Sequence, residues 1–261
     1  MPTVRRPAVA GWFYPIDSGE LASTVNRLLD EVPAGGAAPK AIIAPHAGYV
    51  YSGPVAATAY AQLRSARGEV RRVVLVGPSH RVPLAGLAFP SVDAFASPLG
   101  ALPVDREALE RLAALPQVVE LDEPHADEHS LEVHLPFLST VLGEVAIVPL
   151  VAGFAAADEV SEVLDALWGG PETLVVVSSD LSHYHDYETA RRLDAGTTRA
   201  IEELAGERID PDRACGSVPI GGLLWTARRR GLTATTLDVR NSGDTAGTRD
   251  SVVGYGAYAF A

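Results

Sequence analysis

The sequence has little cysteine, little lysine and no long apolar segment. Among 261 residues there is one cysteine, Cys215, so no intramolecular disulfide can form, and any role of this thiol is that of a ligand or a reactive group. No run of 18 apolar residues occurs, which predicts no transmembrane helix. The N-terminal residues are interrupted by prolines and lack a continuous apolar segment, so we expect no signal peptide and a cytoplasmic location.

Acidic residues outnumber basic ones. Lys40 is the single lysine, the other basic residues are arginines, and the formal net charge is −12. This balance predicts neither nucleic acid nor an anionic membrane as a partner, because both repel an acidic protein. The longest basic run, Arg228-Arg229-Arg230, falls at the predicted end of a helix, where cations interact favourably with the helix dipole. We interpret it as a solvated helix end.

Apolar runs and amphipathic segments alternate along the chain, which is 47% hydrophobic and 21% charged. Strands are predicted at 41–44, 73–76, 144–151, 174–177, 233–239 and 252–260. Helices are predicted at 18–32 (capped by Ser18), 52–63 (capped by Ser52), 105–115, 158–168, 187–204 and 220–230. The alternation predicts a single α/β domain over residues 1–261, with a largely parallel central sheet flanked by helices.

Three of these strands are followed by a short turn and a histidine. His46 follows the strand at 41–44, His80 follows the second strand, and His183 follows the strand at 174–177. Open α/β sheets bind ligands at the carboxyl ends of their strands. One such histidine is weak evidence, but three at the same edge predict a shared site with several titratable groups.

A second group of histidines follows a short acidic stretch. The leucine spacing in this region predicts a helix from Ser130 onward. His129 and Glu132 then lie one turn apart and can contact each other. We expect His125 and His134 on the surface and His129 in a pocket.

Aromatic residues cluster near the N-terminus, where Trp12, Phe13 and Tyr14 show no helical period. Two interpretations remain open: an N-terminal arm packed on the core, or the wall of a ligand pocket, since pockets are lined by aromatic side chains. The residues that we expect in the pocket are Trp12, Tyr14 and, in the loop after the first predicted sheet strand, Tyr49.

Cys215 lies just before a predicted helix that begins near Pro219, a residue type favoured at the first helical position. A thiol near a helix N-terminus is expected to have a lowered pKa, and a bound metal would lower it further. A lone cysteine is otherwise a small buried apolar residue. Gly216 and the polar residues around it favour the functional interpretation.

Asp180 stands three residues before His183 and has two interpretations. Its carboxylate can orient the imidazole of His183 through a hydrogen bond, or it can cap a helix that begins at Leu181. Both fit the sequence.

Several motifs together resemble one known family. The stretches APHAGYVYSG, VGPSH, DEHSLEVHLPFL, SSDLSHY and VGYGAYAF are similar to those of the Memo family, and the similarity runs from AGWFYP to the C-terminus. That family includes the B component of a bacterial and archaeal three-gene system in which a Memo-like protein accompanies a radical-SAM protein. Its fold is similar to that of class III extradiol dioxygenases, which are non-haem iron enzymes that cleave catechol rings.

The resemblance implies a metal site. In the Memo family two histidines and a cysteine line the pocket in which the dioxygenases hold iron, and the matching positions here are His46, His80 and Cys215, with Asp180 and His183 beside them. Fe(II) is the expected cofactor, with Zn or Cu as alternatives. His183, supported by Asp180, is the expected acid/base. A small molecule is the expected substrate, and the radical-SAM protein of the same gene system is a candidate partner.

Three functions stay open. The first is an iron-dependent, dioxygenase-like oxidoreductase that acts on a small aromatic or otherwise metal-chelating substrate. The second is a non-catalytic metal- or peptide-binding partner of another enzyme. The third is a zinc hydrolase, since two histidines and a cysteine with an open position also suit Zn²⁺. The dioxygenases use two imidazoles and a carboxylate, so a thiolate gives a softer, oxidisable site, and ring cleavage itself is not implied.

Overall fold

Short apolar strands form the centre of the molecule. The computed structural model describes residues 2–33 and 35–261. The strands of these residues are β1 (Val4–Arg5), β2 (Ala41–Ala44), β3 (Arg72–Pro78), β4 (Leu87–Phe89), β5 (Ala94–Ser97), β6 (Gly100–Pro103), β7 (Val118–Glu120), β8 (Ala146–Ala152), β9 (Thr173–Ser178), β10 (His183–His185), β11 (Ala234–Asn241) and β12 (Val252–Phe260). The helices are α1 (Ser18–Asp30), α2 (Tyr49–Ala61), α3 (Arg106–Leu112), α4 (Glu123–Ala126), α5 (Leu135–Leu142), α6 (Ala157–Leu167), α7 (Tyr187–Glu202), α8 (Ser217–Arg230) and α9 (Ser242–Thr245), with 3-10 turns at Arg64–Ala66, Glu132–His134 and Gly206–Arg208.

The main sheet has parallel strands at its centre. Its order is β10-β12-β2-β9-β3-β8-β4-β7, and β11 pairs with β12 outside this path. The neighbours β2, β9, β3 and β8 pair in parallel, whereas β12 joins β2, and β4 joins β8, in antiparallel pairs. A second, small sheet contains β1, β5 and β6. The predicted α/β fold with a parallel centre is confirmed, and the flanking antiparallel strands make the sheet mixed.

The parallel centre places three strand ends side by side. Ala44 of β2 pairs with Ser178 of β9, and Val76 of β3 pairs with Val177 of β9. The carboxyl ends of the three strands therefore reach the same edge of the sheet, and the loops that follow them meet there. This is the edge at which the sequence predicted a shared site.

Helices pack on the sheet and on each other through apolar stripes. Buried residues of α1 are Leu21, Val25, Leu28 and Leu29, which recur at helical spacing. Helices α6 and α8 come into close contact at Gly222, where a Cβ would lie 2.2 Å from Val160, so only glycine permits this approach. None of the helices in the described ranges combines the length and the hydropathy that crossing a membrane requires.

Two predicted helix caps are wrong. Asp17, not Ser18, caps α1, because its carboxylate accepts a hydrogen bond from the backbone N–H of Glu20 at 2.9 Å. Helix α2 begins three residues before Ser52, whose hydroxyl instead donates to the carbonyl of Ala47 at 2.8 Å. In both cases the path of the loop, rather than the type of residue, selects the cap.

The segment that carries the second group of histidines is buried, not exposed. His125 and His134 are only 2% and 1% exposed, so the prediction that they lie on the surface is wrong. The Nε2 atom of His125 lies 3.0 Å from the carbonyl of Ala88, and the Nδ1 atom of His134 lies 2.8 Å from the hydroxyl of Tyr60. The predicted helix from residue 130 is a 3-10 turn followed by α5, which packs against α1, α2 and β5.

Candidate metal centre

Three separate loops bring two histidines and the cysteine together. His46 follows β2, His80 follows β3, and Cys215 precedes α8. One potential ligand atom from each of the three lies within 4.8 Å of the others. The cysteine reaches this place because Gly216 packs against the end of β9, where a Cβ would come within 2.6 Å of the carbonyl oxygen of Ser178.

The imidazole of His46 is held in one tautomer. Its Nδ1 atom lies 2.6 Å from the hydroxyl of Ser178, and that hydroxyl donates its proton to the carbonyl of Ser130 at 2.6 Å. Because Ser178 has only one proton to give, Nδ1 of His46 must be the donor in their hydrogen bond. The lone pair of Nε2 is therefore free, and Nε2 lies 3.3 Å from Sγ of Cys215.

The imidazole of His80 is held in the same way by a buried carboxylate. Oε1 of Glu128 lies 2.9 Å from Nδ1 of His80, and Oε2 accepts the backbone N–H of His80 at 2.7 Å. Burial opposes ionisation of Glu128, but the side chain of His80 and the backbone N–H groups of Ser130 and His80 hold its pKa at about 2. A carboxylate can only accept, so Nδ1 of His80 carries the proton and Nε2 is free.

The thiol of Cys215 is protonated at neutral pH in the protein chain alone. Burial, together with the charge of Asp180, raises its pKa to about 12, and the backbone N–H of Asp180 donates to Sγ at 3.3 Å. The prediction of a lowered pKa from the nearby helix N-terminus is therefore wrong for the chain alone, because desolvation outweighs the helix dipole. A bound metal ion would instead lower the pKa of this thiol, since coordination deprotonates a thiol.

Asp180 supports His46 rather than His183. Its carboxylate accepts the backbone N–H of His46 at 2.8 Å, and its second oxygen lies 4.0 Å from Nε2 of the same residue. Burial raises the pKa of Asp180 to about 7, against the opposing effect of the backbone N–H of His46. Neither interpretation from the sequence holds, because no helix begins at Leu181 and the hydrogen bonds of this carboxylate go to the loop after β2.

An open cavity of about 1380 Å³ lies above these residues. The predicted site residues that line it are Trp12, His46, His80, His129, Asp180, His183 and Cys215. The ring of His129 stacks on that of His80, with centroids 4.7 Å apart, and Phe13 packs against His129 at 4.8 Å. Burial lowers the pKa of His183, so its imidazole is neutral at pH 7.

Tyr14 and Tyr49 do not line the cavity, contrary to the prediction. Both are buried below it: the hydroxyl of Tyr14 donates to Glu132 at 2.5 Å, and that of Tyr49 donates to the carbonyl of Val133 at 2.6 Å. Of the aromatic N-terminal residues, Tyr14 thus packs on the core while Trp12 forms part of the pocket wall. The two interpretations of that segment apply to different residues.

Glu132 anchors the N-terminal arm from inside the protein. This fully buried carboxylate pairs with the guanidinium of Arg5 and accepts the backbone N–H groups of Ala8 and Val9 at 2.7 and 3.0 Å. The predicted contact between His129 and Glu132 is replaced by this network. The anchoring fixes the arm whose tip, Trp12 and Phe13, forms one wall of the cavity.

Ser178 and Glu128, the two residues that orient the imidazoles, were not among the residues predicted from the sequence. Ser178 is the last residue of β9, so its position at the same strand edge as His46 was a usable signal. Glu128 is adjacent to His129 in sequence, which gave no indication that its partner is His80, 48 residues away. Phe13 was noted only as part of an aromatic segment.

The residues present fit a single metal ion. Two imidazole nitrogens with free lone pairs and one sulfur face each other, and the 3.3 Å between Nε2 of His46 and Sγ of Cys215 suits two ligands of one ion with bonds of about 2.0–2.3 Å. His80, Glu128 and His129 also lie within 4.8 Å of one another. The carboxylate of Glu128 already accepts hydrogen bonds from His80, His129 and Ser130, so we assign it to orienting His80 rather than to a second ion.

The chain is similar to proteins of one family over nearly its whole length. A sequence model of the Memo-like protein family matches residues 5–259. A MEMO1 family protein of Aquifex aeolicus is 37% identical over 267 residues, covering 97% of this chain and 97% of the relative. A MEMO1 family protein of Aeropyrum pernix is 36% identical over 279 residues, covering 97% of this chain and 98% of the relative.

A solved structure shares the fold. The crystal structure of an uncharacterized protein from Escherichia coli K12 superimposes with a TM-score of 0.51 at 14% sequence identity, over 82% of this chain and 98% of that one. At this identity the likeness concerns the fold alone.

Proposed function

The chain belongs to the Memo-like protein family, and from this premise we propose that it binds one iron ion through His46, His80 and Cys215 and acts as an oxidoreductase on a small, metal-chelating aromatic substrate. The observation that carries the proposal is the convergence of three ligand atoms, within 4.8 Å of one another, at the floor of an open cavity. Both imidazoles present Nε2 because Ser178 and Glu128 occupy Nδ1. Such preorganisation is typical of metal-ligating histidines.

Iron is proposed ahead of zinc and copper because the family fold is similar to that of non-haem iron dioxygenases. When bound with open coordination positions, iron would supply redox chemistry toward oxygen and a chelating substrate. Two imidazoles and a thiolate also suit Zn²⁺ or Cu, and metal analysis of the purified protein distinguishes the three ions.

His183 is the proposed acid/base. It lines the cavity, it is not a member of the three-residue cluster, and burial keeps its imidazole neutral and able to accept a substrate proton near pH 7. Asp180 is proposed to act indirectly, by holding the backbone of His46. The cavity walls would orient the substrate and limit its contact with water.

The test is metal analysis of protein purified without oxygen from iron-supplemented cells. Wild type should contain close to one iron per chain, and His46→Ala, His80→Ala and Cys215→Ala should each lose most of it. His185→Ala is the matched control, since His185 lines the same cavity outside the cluster and should keep the iron. Unchanged iron in all three cluster variants would refute the site, and stoichiometric zinc instead would favour a hydrolase.

Turnover and partnership need separate assays. Oxygen uptake with chelating aromatic compounds tests the enzymatic part of the proposal, and a metal-loaded protein that consumes no oxygen with any of them would favour the non-catalytic binding function. The family resemblance also makes a radical-SAM protein the proposed partner. Co-purification with a radical-SAM protein of the same gene system tests this, and separate elution of the two would contradict it.

A further inference from the structure

The cavity above the proposed metal site is lined by histidines and acidic residues rather than by arginine or lysine. Among the described residues that line it there is no arginine and no lysine, whereas Asp180 and Asp212 contribute carboxyl groups. The chain as a whole carries a formal charge of −12. Away from the proposed ion, a carboxylate or phosphate on a ligand would lose hydration in this cavity without an arginine or lysine to replace it.

Two arginines that are close in sequence to lining residues point elsewhere. Arg249 follows a lining residue, but its guanidinium lies over the ring of Tyr187, 4.3 Å from the centroid. Arg213 stands between two lining residues, and its guanidinium lies against Gly196 of α7. Arg81 follows His80, is exposed and does not line the cavity, although its charge acts on the lining residue His129. The absence of Arg249 and Arg213 from the cavity therefore reflects how their side chains are held, not their distance in sequence.

Aromatic rings are exposed at the same cavity. Trp12 is 91% exposed and Tyr184 is 78% exposed, and both are lining residues. Tyr184 has a φ of 61°, a conformation that non-glycine residues rarely adopt, at an irregularity in the pairing of β10 with β12. Such backbone strain persists where the surroundings impose it, so the backbone that presents this ring is fixed. Ring faces that are open to solvent can receive a cation.

We infer that the substrate is an aromatic chelator that carries an amine, and that the site discriminates against chelators that carry a carboxylate. The inference rests on the proposed function, because it assumes that the chelating end of the molecule meets an ion at His46, His80 and Cys215. It adds the charge of the remaining part: an ammonium group can contact Trp12, Tyr184 or Asp212 of the lining, whereas a carboxylate away from the ion meets no arginine or lysine there.

The test compares three probes with the same catechol ring and similar side chains: dopamine, 4-ethylcatechol and 3,4-dihydroxyphenylacetate. Each is titrated by calorimetry, without oxygen, into metal-loaded wild-type protein. We expect affinity to fall in the order amine, neutral, acid, with the amine binding about 10-fold more tightly than the acid, as a desolvated cation–π contact would allow.

Variants separate the contributions. Trp12→Ala and Asp212→Asn should each weaken dopamine binding about 3-fold and leave 4-ethylcatechol binding nearly unchanged. Trp225→Ala and Asp30→Asn are the matched controls, since Trp225 is a half-exposed tryptophan and Asp30 an exposed aspartate, both outside the cavity. They should retain the wild-type preference.

The outcomes distinguish this inference from the proposed function. Equal affinity for the three probes, or a preference for the acid, in protein with a full metal content would overturn the charge preference and leave the metal site intact. Wild-type protein that takes up no metal would overturn both. An amine preference that Trp12→Ala and Asp212→Asn leave unchanged would also refute the assignment to these cavity walls.

Discussion

Replacement of Glu128 by glutamine tests whether this carboxylate prepares His80 for the metal. The substitution keeps the size and polarity of the side chain but replaces one acceptor oxygen by an NH₂ group, which cannot accept. Four N–H groups, from His80, His129 and Ser130, converge on the carboxylate. In Glu128→Gln at least one of these N–H groups loses its acceptor. Where the amide nitrogen faces Nδ1 of His80, the amide donates to Nδ1 and the imidazole proton moves to Nε2.

The expected magnitudes follow from these contacts. A buried donor without a partner costs about 1–3 kcal/mol of folding free energy. Loss of a group that orients a metal-binding histidine typically lowers metal affinity about 10- to 100-fold, which corresponds to about 1.4–2.7 kcal/mol. We expect the larger effect to be on metal affinity, because a proton on Nε2 blocks the ligand atom itself.

The assay is competition with a chromophoric chelator for the metal, together with urea unfolding in the presence of a strong chelator. Glu132→Gln is the matched control: it makes the same change in another buried carboxylate, whose partners are Arg5, Tyr14 and the backbone of Ala8 and Val9. Both variants should lose stability, and Glu128→Gln alone should lose metal affinity beyond that. Wild-type affinity in Glu128→Gln, or equal losses in the two variants, would refute the reasoning.

Three further predictions concern catalysis, the thiol and pH. His183→Ala should keep the metal and the fold but lower turnover about 10²- to 10⁴-fold, the range for a positioned acid/base; loss of metal in this variant would instead make His183 a ligand. Metal-loaded protein should react with iodoacetamide at Cys215 more slowly than chelator-treated protein. In the chelator-treated protein the reaction rate should rise with pH up to about 12, the pKa of the thiol. Equal rates in both would exclude coordination of the sulfur. Burial lowers the pKa of His125 from 6.5 to about 4, so the unfolded chain takes up this proton first as pH falls. The stability of the metal-free chain should therefore be full above pH 6.5 and decline by about 3 kcal/mol toward pH 4 on account of this residue, at 1.36 kcal/mol per pKa unit. Urea unfolding across this range measures the decline, which should be smaller in His125→Phe; an identical decline in the variant would contradict the assignment.

The sequence by itself determined the parallel centre of the sheet and the place of two proposed ligands. The apolar runs at 41–44, 73–76 and 174–177 are buried strands because a strand covered on both faces needs no polar alternation. Pro45 and Pro78 end two of these strands, so His46 and His80 had to emerge at the same edge. These properties depend only on residues that are neighbours in the sequence, so the sequence alone predicts them.

Only the tertiary structure decided which polar groups meet. Asp180 could orient His183, three residues away, but it holds the backbone of His46, 134 residues away. Glu132 was expected to contact His129 within one helical turn, but it pairs with Arg5 across 127 residues of chain. Sequence periodicity carries no information about such partners, because they are selected by which loops the packed sheet brings together.

Burial was the other property that the pattern of residues left undetermined. His125 and His134 stand among charged residues and resemble a solvated surface, yet both are inside the protein because the buried Arg5 and helix α2 supply part of their surroundings. The same holds for the thiol of Cys215, whose helix-terminal position predicts a lowered pKa and whose desolvation raises it. Local sequence gives the chemical groups, but the dielectric environment that sets their protonation is a property of the folded molecule.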